Sequence, residues 1–184
     1  MKLFSTERTD VHLLVDEYAK NLQHYLVNNR THLAPYEPLR DDEYFILENI
    51  QNRIINSLND YQEKRSLPLV VTLKNDEHII ATINFTNFVY GVFQACYLGF
   101  SLENASQGKG LMYESLESSI EYVRKRYGIH RIMANHLPDN LRSSNTLRRL
   151  GFKKEGYAQS YLKINGIWED HILNSLIFLD ESSQ

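Results

Sequence analysis

The stretch Gly108-Lys109-Gly110 points most directly to chemistry, because two glycines flank a lysine just before a helical pattern begins. Glycine in the first turn of a helix costs about 0.5–1 kcal/mol relative to alanine, so the bare backbone must serve a purpose. Free N–H groups at a helix N-terminus can hold a phosphate or pyrophosphate when no side chains prevent its close approach. A glycine-rich turn that only reverses the chain would require the same residues.

Two common phosphate-binding motifs do not match this stretch. A P-loop requires glycine where Glu103 stands, and Ser or Thr where Gly110 stands. A dinucleotide-binding fingerprint requires a third glycine where Tyr113 stands. The phosphate-binding interpretation that remains is a strand that leads through a glycine turn into a helix.

The spacing of apolar residues predicts the elements that position this turn. From Val11 to about Tyr61 the apolar residues recur at helical spacing, and a loop with two prolines over residues 32–44 separates two helices. After Pro68 the pattern changes to a period of two. This period predicts antiparallel strands over residues 69–74, 79–88 and 93–102.

The C-terminal half alternates between helical and extended patterns. A helix runs from the glycine turn to Gly128, which stops it. A strand follows over residues 130–137 and a second helix over residues 139–150. The chain then continues as two long strands joined by a tight turn at Asn165-Gly166. This order predicts an α+β layered fold.

Length and composition narrow the functional classes. The 184 residues, 42% hydrophobic and 23% charged, predict a single domain over residues 1–184. A net charge of −3 gives no general attraction to nucleic acid, and we expect no membrane span because no apolar stretch is long enough. The lone cysteine, Cys96, excludes an internal disulfide and suits a reducing cytoplasm. His130 and His136 have no third ligand nearby, so we expect no metal site.

Three short motifs follow one another along the chain. They are a glycine turn after a strand, an asparagine and a serine three residues apart, and a Leu-Gly-Phe segment, here Gly108-x-Gly110, Asn140-x-x-Ser143 and Leu150-Gly151-Phe152. Their order resembles the GNAT N-acetyltransferases. Six longer segments together resemble the GNAT enzymes that acetylate an N-terminal alanine of ribosomal proteins, namely residues 32–38, 87–102, 107–116, 130–144, 150–158 and 166–176. The resemblance covers nearly the whole chain. It implies a mixed, mostly antiparallel sheet with helices on both faces and a splay between the central strands.

The resemblance also implies that acetyl-CoA is the cosubstrate and that its acetyl group goes to an amine. In the family the glycine turn holds the pyrophosphate, and free backbone groups of the strand around Leu98 to Leu102 would pair with the pantetheine arm. Asn140 resembles the residue that hydrogen-bonds this arm, although it can also cap the following helix. The residues expected to bind the cofactor are Phe100, Leu102, Gln107, Gly108, Lys109, Gly110, Leu111, Asn140 and Ser143.

Two positions depart from the family pattern. The first side chain of the glycine motif, Gln or Arg in the superfamily, is Ala105 here, and Gln107 stands one residue before the glycine instead. The tyrosine that protonates the leaving thiolate in many relatives is replaced by Leu147. Another group must therefore protonate the thiolate, or the thiolate leaves into solvent.

Three residues are candidates for the acid and base of the reaction. Ser143 could donate a proton to the thiolate, although a serine in the first turn of a helix often bonds the local backbone. Glu103 and Asp170 could orient or deprotonate the amine, although loop acids are usually only solvated. Cys96 alternates with core positions of its strand and is expected to be structural.

The chemistry of amines favours a protein N-terminus as the acceptor. Deprotonating an α-amino group with a pKa near 8 costs about 1 kcal/mol at pH 7, whereas a lysine amine costs about 4–5 kcal/mol. A chain without an obvious buried base suits the α-amine, and the resemblance identifies its source as a ribosomal protein. An acidic loop is our candidate for drawing in the basic tail of such a protein by long-range electrostatic attraction. Its acids are Glu37, Asp41, Asp42 and Glu43.

Aromatic residues are the candidates for an acceptor groove. Tyr36, Trp168 and the stretch over residues 87–93 could line it, although many of these rings must belong to the core. Two other functions remain open. One is acetylation of a small amine such as an antibiotic or a polyamine. The other is a non-catalytic role as a CoA-binding or ribosome-associated protein, which the missing tyrosine supports. The sequence indicates no oligomeric state.

Overall fold

One mixed sheet of eight strands organises residues 1–179, the part of the chain that the computed structural model describes. The strands are β1 (Lys2–Ser5), β2 (Thr9–Leu13), β3 (Leu67–Leu73), β4 (Ile79–Val89), β5 (Ala95–Leu102), β6 (Arg131–His136), β7 (Lys153–Ile164) and β8 (Ile167–Ile177). Their order in the sheet is β1-β2-β3-β4-β5-β6-β8-β7. Neighbours are antiparallel except for β5 and β6, which are parallel. The predicted α+β fold with a mostly antiparallel sheet is therefore confirmed.

Helices cover both faces of this sheet. Within residues 1–179 the α-helices are α1 (Ala19–Asn28), α2 (Arg30–Leu33), α3 (Leu47–Gln62), α4 (Leu111–Tyr127) and α5 (Leu141–Arg149). Successive residues of a strand point to opposite faces. Leu69 and Val71 accordingly pack in the cluster that contains α4, whereas Val70 packs with α1 and α3. None of the described helices is both long enough and apolar enough to cross a membrane.

The two central strands separate part-way along the sheet. β5 pairs with β4 as far as Leu102, which lies opposite Ala81. With β6 it pairs only as far as Tyr97, which lies opposite Met133. In the described structure the edge of residues 98–102 that faces β6 has no strand partner. The predicted splay between the central strands is therefore confirmed.

The N-terminus differs from its prediction. The helix predicted from Val11 is wrong at its start, because Val11 lies in β2 and the first α-helix begins at Ala19. β2 shows the period of two that is typical of a strand, with Val11 and Leu13 buried and His12 only partly buried. It pairs with β3 from Thr9 to Leu13. Pairing and burial against β3 outweigh the weak helical spacing of this segment.

The segment between α2 and α3 is partly ordered as short turns. The predicted loop over residues 32–44 begins within α2 and contains 3-10 turns at Ala34–Tyr36 and Asp42–Phe45. The predicted tight turn at Asn165-Gly166 between β7 and β8 is confirmed, with positive φ at both residues. The backbone N–H of Asn165 donates to the carbonyl of Glu37 at 2.8 Å. This bond attaches the segment between α2 and α3 to the C-terminal hairpin.

Candidate active site

The glycine turn has a left-handed backbone at both glycines. Gly108 has φ +74° and Gly110 has φ +76°, a region that residues with a side chain rarely adopt. A Cβ atom at Gly108 would meet no other atom within 4 Å, and one at Gly110 would lie 3.5 Å from Nη2 of Arg8. The turn therefore needs glycine for its backbone conformation, and it leaves open space in front of the first turn of α4.

Hydrogen bonds from the hairpin of β1 and β2 hold the glycine turn in place. The sequence did not predict this contact. The guanidinium of Arg8 donates to the carbonyl of Lys109 at 2.9 Å and to the carboxylate of Glu114 at 2.7 Å. The backbone N–H of Arg8 also donates to Glu114 at 2.7 Å, and the hydroxyl of Thr6 donates to it at 2.5 Å. Glu114 stands in the first turn of α4. These bonds fix the start of α4 against the turn between β1 and β2.

A cleft of about 370 Å³ joins the glycine turn to β5, α2 and α5. It brings together seven of the nine residues predicted to bind the cofactor, namely Phe100, Leu102, Gln107, Gly108, Gly110, Asn140 and Ser143. The other two lie beside it. Lys109 has an exposed side chain outside the cleft wall, and the side chain of Leu111 is buried in the core at 5% exposure. Only the backbone of Leu111 can therefore face a ligand at this turn.

The start of α5 forms one wall of the cleft. The side-chain oxygen of Asn140 accepts from the backbone N–H of Ser143 at 3.2 Å, which makes Asn140 the N-cap of α5. The hydroxyl of Ser143 forms no hydrogen bond within residues 1–179 and lines the cleft. Leu147 lies one turn further along and is 2% exposed, packed in the main core. The position that holds a tyrosine in many relatives therefore belongs to the core of this protein.

A polar network that the sequence did not predict crosses the cleft. The side-chain amide of Gln107 lies 2.8 Å from Nε2 of His32, and the same ring nitrogen lies 3.2 Å from the carbonyl of Leu102. The guanidinium of Arg142 donates to the side-chain oxygen of Gln107. Arg149, whose guanidinium stacks on the ring of Tyr113 at 4.2 Å, adds a second positive charge to the wall. No motif reveals these residues, because α2, the turn and α5 are far apart in sequence.

The other two predicted catalytic residues do not line this cleft. The carboxylate of Glu103 is bonded by Nε2 of His78 and by the hydroxyl of Ser106, both at 2.6 Å. Asp170 lies on β8 and accepts from the hydroxyl of Tyr157 at 2.5 Å and from the backbone N–H of Ser160 at 2.8 Å. The bond from Tyr157 lowers the pKa of Asp170 below its ordinary value. The geometry brings Ser143 to the glycine turn and leaves these two acids elsewhere.

The acidic loop divides into one residue that faces the cleft and others that do not. Asp41 caps a 3-10 turn by accepting from the N–H of Tyr44 at 3.0 Å, and Asp42 pairs with Arg30 at 2.8 Å. Glu37 lines the cleft, and partial burial raises the pKa of its carboxyl above the ordinary value. Among the described residues that line the cleft it is the one carboxylate. Of the four acids of this loop, Glu37 is therefore the one in the cleft wall.

Of the aromatic and thiol residues considered from the sequence, only some lie in the cleft wall. Tyr36 lines the cleft, whereas Trp168 is 61% exposed outside it. The stretch over residues 87–93 reaches the end of β4 and the turn into β5, also outside the cleft wall. Cys96 is fully buried in β5, and burial raises the pKa of its thiol to about 12. Its burial and its raised pKa both disfavour the thiolate, which is the nucleophilic form.

Comparison with known proteins agrees with this geometry. The sequence profile of the acetyltransferase (GNAT) domain matches residues 12–153. The chain belongs to the GNAT acetyltransferase family. The [ribosomal protein uS5]-alanine N-acetyltransferase of Escherichia coli K12 is 44% identical to this GNAT chain over 173 residues, which are 94% of this chain and 89% of that protein.

Solved structures of other GNAT proteins share the fold. The ribosomal-protein-S5-alanine acetyltransferase of Vibrio fischeri is 37% identical and superposes with a TM-score of 0.91 over 98% of each chain. RimJ of Mycobacterium smegmatis, in complex with CoA-disulfide, is 22% identical with a TM-score of 0.88 over 96% of this chain and 84% of that one. This GNAT chain is therefore an N-acetyltransferase.

Proposed function

We propose that this GNAT protein acetylates the α-amine of an N-terminal alanine on a ribosomal protein, with acetyl-CoA as the donor. The observation that carries the proposal is one cleft that runs from the glycine turn, past the open edge of β5, to the carboxylate of Glu37. A cleft of this kind can hold an anionic cofactor at one end and receive an amine at the other.

The glycine turn suits the pyrophosphate of acetyl-CoA. The first N–H groups of α4 have no partner inside the helix, and the helix dipole favours an anion at this end. Gly108 leaves the space in front of them open, while Arg142 and Arg149 place two positive charges on the facing wall. Lys109 and the side chain of Gln107 are further groups that can reach phosphate oxygens from the turn. The solved CoA complex of the Mycobacterium smegmatis relative supports the same ligand.

The open edge of β5 suits the pantetheine arm and the thioester. Residues 98–102 lack a strand partner on the side of β6, so their backbone groups can pair with amides of the arm. Acetyl-CoA supplies an activated acetyl thioester. The protein must place the amine against it and stabilise the negative charge that develops on the carbonyl oxygen. We assign that stabilisation to a backbone N–H near Phe100, a contribution of about 3–4 kcal/mol for one such donor.

Ser143 is the proposed proton donor to the leaving thiolate. Its backbone N–H is used by Asn140, but its hydroxyl is free among the described residues and faces the cleft. Leu147 cannot take this part, because it has no polar atom and is packed in the core. Asn140, Phe100 and Leu102 line the same cleft as Ser143 and would hold the arm beside it.

Three arguments support a protein N-terminus as the acceptor. The Escherichia coli and Vibrio fischeri relatives are named for acetylation of an alanine of ribosomal protein uS5, and they cover nearly the whole chain. An α-amine is also about 3–4 kcal/mol easier to deprotonate at pH 7 than a lysine side chain. Ribosomal proteins are basic, and the net charge of −3 on this chain attracts a basic tail. The proposed place of action is the cytoplasm, where such proteins are made.

A competition among peptides tests this function. The peptides share one basic tail and begin with Ala, Ser, Thr, Met or acetylated Ala, and one further peptide has a blocked N-terminus and an internal lysine. Thiol release and mass spectrometry then measure acetylation. We expect the free Ala peptide to react fastest and the blocked peptides to remain unmodified. Acetylation of the lysine peptide at the rate of the Ala peptide, or turnover of polyamines with inert peptides, would contradict the proposal.

A further inference from the structure

We propose that Glu37 is a catalytic residue of the acetyl transfer, which binds the α-ammonium group of the acceptor and removes one proton from it. The inference rests on the proposed function and names a base other than Glu103 and Asp170, the two candidates from the sequence. It follows from the position of Glu37 in the cleft, from the use of the other acids elsewhere, and from the balance of charge along the cleft.

The positive and negative side chains of the cleft lie on different walls. Arg142 and Arg149 stand on the wall of α5, which faces the glycine turn. Glu37 stands on the segment that follows α2, beside Tyr36 in the cleft wall. Within residues 1–179 no hydrogen bond engages its carboxylate, although the charge of Arg40 acts on it. A cofactor with several phosphates matches the arginines. An acceptor that arrives as an ammonium matches the carboxylate, which would otherwise stay partly buried without a partner.

The other acids near the site are already bonded. Glu103 is bonded by His78 and Ser106. Glu114 accepts from Arg8 and Thr6 and holds the glycine turn in place. Each of these carboxylates would have to lose protein contacts before it could take a proton from an amine. The carboxylate of Glu37 loses none.

The surroundings of Glu37 make its carboxylate a stronger base than that of an exposed glutamate. Burial raises the pKa of its carboxyl, and the positive charge of Arg40 opposes this shift only in part. The guanidinium of Arg40 stacks on the ring of Tyr44 at 4.2 Å instead of bonding the carboxylate. A carboxylate with a raised pKa is a better proton acceptor for an α-amine. The other titratable or charged groups around it are Arg30, His32 and Tyr36, which line pockets with it, and Tyr25, on which its charge acts.

The proton and electron balance of the step is simple. One N–H proton of the ammonium moves to the Glu37 carboxylate, and the freed lone pair on nitrogen forms the bond to the thioester carbonyl carbon. The carbon–sulfur bond breaks, and the thiolate takes a proton either from water or from Ser143, which then regains a proton from solvent. The amide nitrogen loses its second proton to solvent, and Glu37 returns its own proton through the open mouth of the cleft.

The test compares Glu37→Gln with Glu48→Gln, an exposed glutamate in the first turn of α3 outside the cleft wall. The kinetic constants for the free Ala peptide are measured from pH 6 to pH 9, with CoA affinity by calorimetry. We expect Glu37→Gln to lower kcat/KM for the peptide by about 100-fold or more at pH 7, within the range of general base catalysis. CoA affinity should not change, and Glu48→Gln should match the wild type.

The pH profile separates a base from a merely structural residue. The deficit of Glu37→Gln should shrink as the pH rises through about 8, because the peptide then supplies its own neutral amine. Glu37→Asp should recover part of the lost rate. Free Ala peptide should also bind the CoA-loaded wild type more tightly than acetylated Ala peptide does, and Glu37→Gln should abolish that difference.

The outcomes distinguish this inference from the proposed function. If the wild type acetylates the Ala peptide and Glu37→Gln does so at the same kcat/KM, the role of Glu37 is wrong and the proposed function stands. A deficit that is equal at every pH, or that Glu37→Asp does not relieve, also overturns that role. If the wild type leaves every peptide unmodified, the proposed function itself fails.

Discussion

Replacing Gly108 with asparagine separates the two reasons for which the glycine turn can exist. A turn that only needs a left-handed backbone tolerates asparagine, the residue after glycine that most readily adopts positive φ. A turn that holds a pyrophosphate does not, because the new side chain occupies the space that the ligand needs. Gly108 suits the test because a Cβ atom there meets no protein atom within 4 Å, so the substitution creates no clash of its own.

The expected magnitudes follow from the backbone and from the lost contacts. Asparagine at φ +74° should cost about 1 kcal/mol of folding free energy, which lowers the Tm of a domain of this size by about 2–4 °C. Loss of one charge-assisted N–H bond to phosphate costs about 1.5–3 kcal/mol. CoA affinity should therefore fall by about 10- to 150-fold.

Gly128 provides a matched control. It ends α4 with φ +60°, a Cβ atom there also meets nothing within 4 Å, and it does not line the cleft. Calorimetry with CoA and thermal unfolding are run on Gly108→Asn and on the control Gly128→Asn. We expect similar losses of Tm and a loss of CoA affinity in Gly108→Asn alone. If Gly108→Asn binds CoA within about twofold of wild type, the glycines serve only the backbone and the cofactor lies elsewhere.

Three further predictions concern the cleft and its supports. Ser143→Ala should lower kcat by about 10²- to 10⁴-fold with little change in CoA affinity, and a fall of less than about threefold would remove Ser143 from the role of acid. Leu147→Tyr should not raise kcat, because position 147 is 2% exposed and lies in the core. The larger side chain should overpack the core and lower the free energy of unfolding by about 1–3 kcal/mol in chemical denaturation. A rise in kcat would contradict the placement of this residue in the core. Glu37→Gln should raise the Tm at pH 8, because burial raises the pKa of the carboxyl and the wild type loses stability as the pH rises through that value. This gain should vanish below the ordinary carboxyl pKa of 4.5, and an equal gain at pH 3 would refute the explanation.

The strands and helices of the C-terminal two thirds were predictable from local patterns. The period of two in β4 and β5, the apolar stripe of α4 and the Asn165-Gly166 turn each depend on residues that are close in sequence. The start of the chain was not predictable in this way, because β2 has only five residues and owes its strand conformation to pairing with β3. Local spacing carries little information about a strand that tertiary pairing determines.

The site was predictable only where a motif is continuous. The glycine turn and the Asn140-x-x-Ser143 segment could be read directly, and the structure brings both to one cleft. Arg8, His32 and Arg142 come from elements whose meeting depends on the whole fold, so no local signal marks them. Glu37 was visible as one acid of a charged loop. Its difference from Asp42 appears only when the structure shows that one faces the cleft and the other pairs with Arg30.

The most direct test of the proposed activity is mass spectrometry of unmodified ribosomal protein uS5 from the organism of this chain after incubation with the enzyme and acetyl-CoA. Fragmentation locates each acetyl group, and a reaction without the enzyme measures chemical acetylation. We predict one acetyl group per chain, on the α-amine of the N-terminal alanine, and lysine side chains modified no faster than in the reaction without enzyme. Acetylation spread over lysines, or an unmodified N-terminus while the enzyme consumes acetyl-CoA with small amines, would contradict the assignment of a protein α-amine as the acceptor.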